Sequence, residues 1–114
     1  MDEHAMILVS MRTAPGEGGV HELLFRLGRL EGARLVRVLI LQSAYRRLSE
    51  QLRMSGLYAP RVAQPSFLAD WARWHLWRHY RPGAPIPSSV TITLGDVDAY
   101  GRYSRRVGHS LQAA

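Results

Sequence analysis

The stretch Leu35-Val-Arg-Val-Leu-Ile-Leu41 constrains the fold more than any other part of this chain. Its β-branched residues and its single polar interruption predict a strand. A strand apolar on nearly every position is expected where both faces are covered, as in a parallel α/β sheet. The neighbouring segments are therefore read for the helices that would cover it. Met6-Ile-Leu-Val-Ser-Met11 predicts a first buried strand, closed by the breakers of Thr13-Ala-Pro-Gly-Glu-Gly-Gly19. Over residues 20–31 the apolar positions Val20, Leu23, Leu24, Leu27 and Leu30 recur at helical spacing, with Glu22, Arg26 and Arg29 off the stripe. Gly32 stands where a left-handed cap belongs, so this segment is expected to be a helix. Strand, helix and strand make a βαβ unit, with parallel strands and a right-handed crossover.

Further along, Ser43 is placed to cap a second helix carrying Ala44, Tyr45, Leu48 and Leu52 and ended by Gly56. Ser66 caps a third, which runs to about Tyr80, holds all three tryptophans and stops at Pro82-Gly-Ala-Pro-Ile-Pro87. Val90-Thr-Ile-Thr-Leu94 alternates cleanly and predicts an edge strand with one wet face. From Asp96 to about Leu111 a last helix is expected, weakened by Gly101 and Gly108. The expected order is β-α-β-α-α-β-α, a small parallel-sheet α/β fold, and 114 residues fit one domain spanning 1–114.

Composition narrows the chemistry. There is no cysteine, which removes disulfides, thiolate metal sites and thiol nucleophiles, and the cytoplasm is the compartment expected. The acidic start, Met1-Asp2-Glu3-His4, is unlike a secretory leader, and no stretch approaches the ~20 apolar residues of a membrane span. All 15 basic residues are arginine, so the P-loop lysine, the Schiff-base lysine and the Ser–Lys dyad are excluded. The net charge of +6 would attract phosphate at long range, but no run exceeds two arginines, which reads as a solvated basic surface.

In its order of residues the chain resembles the universal stress protein family, whose members have a flavodoxin-like nucleotide-binding fold. The resemblance rests on Met6-Ile-Leu-Val-Ser10, the loop with Pro15-Gly16, the predicted helix after it, Glu31-Gly-Ala-Arg-Leu-Val-Arg-Val-Leu-Ile-Leu41, and Thr91-Ile-Thr-Leu-Gly-Asp96. It implies a shortened flavodoxin-like domain that binds or regulates without catalysis. Nucleotide-binding members carry an acidic residue after the first strand, where Met11, Arg12 and Thr13 stand here. They also carry a Gly-x-x-Gly-x9-Gly-Ser/Thr phosphate loop, of which Gly16-x-x-Gly19 could supply only the first half. ATP is thus the cofactor that the resemblance implies and the motifs do not support, and no resident cofactor is expected. Removing the family's last two strands leaves the apolar first strand at an open edge, so a homodimer or other oligomer is expected. A second resemblance is to small cobalt or iron chelatases, through the apolar strand and its Ser-containing turn Leu41-Gln-Ser43, although Met11 occupies the place of their metal-binding histidine. It implies a small enzyme using histidines.

Three groups of residues are candidates for a site. Arg12 and Thr13, with Gly16, Gly18, Gly19 and the start of the predicted first helix, would form an anion site at the carboxyl end of a strand, with Asp96 on the same rim. His75 and His79 stand at i and i+4 on the third helix and can share a metal, with Asp70 or His109 as possible third ligands; packed histidines are the plainer reading. Trp74, Trp77, Arg78 and Arg81 make an aromatic–basic surface suited to a subunit interface or to nucleic acid. No Ser–His–Asp order and no carboxylate pair specifies a hydrolase.

Overall fold

A computed structural model describes residues 6–14, 18–28, 34–60, 63–79, 85 and 87–113, with the backbone alone at 105 and 107–113. The elements are β1 (Met6–Arg12), β2 (Val20–Leu27), β3 (Arg34–Leu41), α1 (Gln42–Met54), α2 (Pro65–His79), β4 (Ser89–Ile92) and α3 (Leu94–Ala113). They form an α/β fold with a mixed four-stranded sheet in the order β1-β2-β3-β4. The first three strands are antiparallel neighbours, and β4 runs parallel to β3. Parallel neighbours need a long crossover, which α1 and α2 supply.

The expected first helix is a strand, and this is the main correction. Val20, Leu23, Leu24 and Leu27 fit a helical stripe, but they leave Phe25 off it. Alternation accounts for more: His21, Leu23, Phe25 and Leu27 are buried on one face, while Glu22, Leu24 and Arg26 are half-exposed on the other. The glycine-containing segment before it becomes the connection of a β-hairpin, with Gly18 at φ +74, a conformation that L side chains rarely adopt. Consequently there is no first βαβ unit and no wholly parallel sheet. β1 and β3 run in the same direction, but β2 lies between them, antiparallel to both.

The second correction concerns β3. Val36, Val38 and Ile40 are buried, whereas Leu35, Arg37 and Leu41 are exposed, so this strand is covered on one face only. Its apolar run reflects burial on one side and an apolar surface on the other. β1 is an edge strand, as expected, and so is β4, where Ile92 is buried and Thr91 exposed.

The core lies between the inner sheet face and all three helices. Leu23, Phe25, Val38 and Ile40 from the sheet meet Tyr45 and Leu48 of α1, Leu68 and Trp71 of α2, and Val97 of α3. At the β1 edge the inner residues Met6, Leu8 and Met11 are only partly buried, so the core thins there. Helix ends follow local chemistry. Gly56, at φ +78, follows α1. Pro65 opens α2, where its missing N–H is no loss. Among the described residues no helix is long and apolar enough to cross a membrane.

Candidate functional site

At the first rim, Arg12 and Thr13 are exposed at the end of an edge strand, and no helix begins after them. The anion site expected there therefore lacks the helix N-terminus that was to complete it. Gly18 is in the hairpin connection, the Gly19 carbonyl accepts a hydrogen bond from the Gln42 N–H at 2.9 Å, and Gly16 lies outside the described residues. Asp96 follows the opposite edge strand. The register Arg12–Glu22–Leu39–Thr91 crosses the whole sheet. Three strand spacings of about 4.8 Å put roughly 14 Å between its ends. Arg12 and Asp96 thus share an end of the sheet but not one pocket.

His21, which sequence reasoning passed over, organises this rim. The Ala14 N–H donates to its Nδ1 at 3.2 Å, so Nε2 carries the proton and donates to Gln42 Oε1 at 2.6 Å. A fully buried imidazole thereby joins the hairpin connection to the first turn of α1.

On α2 the three tryptophans have separate fates. Trp71 is fully buried and stacks on Tyr100 at 5.7 Å. Trp74 is half-buried and meets Tyr100 and Tyr103 at 5.1 and 5.3 Å, with the Arg78 guanidinium 5.3 Å above its ring. These contacts bind α3 to α2 and occupy the faces a nucleobase would need. Trp77 is 59% exposed and is the tryptophan left for an interface. Arg81 lies outside the described residues.

The same helix brings His75 and His79 together, with ring centroids 4.6 Å apart. Asp96, from the first turn of α3, joins them: one ligand atom from each residue lies within 4.8 Å of the others. His75 is only 6% exposed, and among the described residues its Nδ1 has no hydrogen-bond partner. Burial is the main cause that pushes its pKa below 6.5; nearby Asp96 opposes this, while His79 and Arg78 add to it. Asp96 Oδ2 accepts from the Thr93 N–H at 2.8 Å and from Thr93 Oγ1 at 2.9 Å, which caps α3 and fixes the carboxylate. Asp70 is exposed and pairs with Arg73 at 3.5 Å, and the His109 side chain lies outside the described residues. The histidine pair was legible in the i, i+4 spacing. Asp96 was expected on the rim of the anion site and not beside the histidines, because its approach to α2 depends on tertiary packing.

The outer face of the sheet carries a second arrangement. Across β1, β2 and β3, one row reads Ile7–Arg26–Leu35; a second reads Ser10–Leu24–Arg37 and continues to Ser89. Ile7 is 46% and Leu35 56% exposed; Val20 and Leu41, paired with each other at the opposite end of the sheet, are exposed as well. Glu22 lies in this field and pairs with Arg37 at 3.1 Å. Comparison with protein-family models, with curated proteins and with solved structures finds no match to this chain.

Proposed function

We propose that this chain is a binding domain that acts through the uncovered face of its sheet, and that the partner on this face is a second copy of itself. The observation that carries this reading is the exposed pair Ile7 and Leu35, flanking Arg26 in one row, on a sheet whose helices all pack on the other side. Large apolar side chains exposed on a sheet face that no helix covers suit an association site. The edge strand beside it adds to the argument, since the inner residues Met6, Leu8 and Met11 are also incompletely covered. The arginine stems of the field can lie along the leucines while their charged ends reach the rim. Neither a bound nucleotide nor a catalytic group enters this reading.

Sedimentation velocity on the wild-type chain and on Leu35→Glu tests it. Leu35 is exposed, so the substitution leaves the core untouched, and both proteins should fold. The wild type is expected to sediment as a dimer at micromolar concentration. The variant should dissociate at least about tenfold more readily, because it loses roughly 1 kcal/mol of apolar burial and must also desolvate a carboxylate. A wild-type chain that stays monomeric at 100-fold higher concentration would overturn the proposal.

A further inference from the structure

We infer that His75, His79 and Asp96 form a binding site for one divalent transition-metal ion of the zinc class. The site is assembled from two elements distant in sequence. α2 contributes two imidazoles one turn apart on the same face. α3 contributes a carboxylate from its first turn. With metal–ligand bonds of about 2.0–2.2 Å, tetrahedral ligand atoms stand roughly 3.4 Å apart. The present limit of 4.8 Å needs only a closing movement on the order of 1 Å. His79 is exposed, so rotation of its side chain can supply that movement while Thr93 holds Asp96 in place.

Two features set this group apart from a chance meeting of polar side chains. His75 is more than nine-tenths buried, and its Nδ1 has no partner among the described residues. An unsatisfied buried polar atom is disfavoured unless something binds it. A metal ion bound at Nδ1 would satisfy that buried nitrogen. Asp96, for its part, is oriented by a partner outside the site. Thr93 holds Oδ2 with two hydrogen bonds, which leaves Oδ1 available as the ligand. Outer partners of this kind orient metal-binding carboxylates.

The donor set selects the ion. Two nitrogens and one oxygen suit zinc, cobalt(II) or nickel, whereas calcium and magnesium prefer oxygen throughout. Three protein ligands leave at least one position for water or an added ligand. Thr93 is a positioning residue in this arrangement, since it reaches the metal only through Asp96.

The test uses the untagged full chain, stripped with chelator and titrated with zinc chloride by calorimetry, and with cobalt(II) by visible absorption. One ion per chain and the intense d–d bands of tetrahedral cobalt are expected. His79→Ala removes an exposed ligand and should leave the fold intact while weakening zinc at least about tenfold; Thr93→Val should weaken it by ~10-fold through the carboxylate. Circular dichroism of each variant checks the fold, which keeps the result readable where His75→Ala would not be. Zinc bound equally well by His79→Ala would place the ion on other histidines and overturn the inference. So would a wild-type chain that takes up no zinc.

Discussion

At the scale of single residues, two histidines do opposite things with their burial. His21 has both nitrogens paired, so it functions as a neutral bracket between the hairpin connection and α1. His21→Leu would leave the Ala14 N–H and the Gln42 amide oxygen unsatisfied, and urea denaturation should show a loss of about 1–3 kcal/mol. His75 is buried without that satisfaction, and its pKa is lowered. A histidine with a depressed folded pKa binds fewer protons folded than unfolded. Its contribution to stability is therefore present above the unfolded value of 6.5 and is lost as pH falls through the folded one. In chelator-treated protein, stability should decline below pH 6.5, and His75→Phe should flatten that decline. Asp96, His79 and Arg78 all act on this group, so the slope is to be compared at constant ionic strength. A wild-type stability that rises on acidification would contradict the assignment.

At the scale of elements, the fate of Val20–Leu27 decides the fold. Leu23 and Leu24 are neighbours in sequence, and a helix would have put both on its apolar stripe. In the strand, Leu23 is fully buried and Leu24 faces outward, half-exposed. Leu23→Ala should therefore destabilise by about 2–5 kcal/mol, while Leu24→Ala should lose less than about 1 kcal/mol. Equal losses would favour the helix. The ambiguity was physical: Val-His-Glu-Leu-Leu-Phe-Arg-Leu satisfies periods of both 3.6 and 2 over so short a span. What settles it is pairing with β3 along the whole strand and with β1 from Glu22 to Leu27, a non-local gain that periodicity does not register. The later elements were legible because each carries its own punctuation. Gly56 follows α1 and the alternation Val-Thr-Ile marks β4, whereas α1 and α2 each begin one residue before the serine expected to cap them, at Gln42 and Pro65. α3 continues through Gly101 and Gly108, because its first turns are held by Val97 and Tyr100 against α2 and the sheet. Tertiary packing there outweighs the propensity cost of glycine, which is about 1 kcal/mol per residue.

At the scale of the whole molecule, the fold is a one-sided sheet: three helices on one face, and arginines among leucines on the other. An apolar run such as Leu35–Leu41 cannot by itself say whether its second face meets a helix or a partner, which is why two-sided coverage was the wrong expectation. The charge of the open face gives the account a signed prediction. Bringing Arg12, Arg26 and Arg37 of two copies together opposes self-association, and salt screens that repulsion. Dimerisation should strengthen between 50 and 200 mM salt, whereas binding to nucleic acid would weaken steeply over the same range. The most direct test of the open face as the binding surface is an isotope-filtered NOE measurement on a mixed sample of carbon-13-labelled and unlabelled chains. Intermolecular NOEs from the methyl groups of Ile7 and Leu35 are expected. Intermolecular NOEs confined to the exposed Trp77 on α2, or none at millimolar protein, would contradict it.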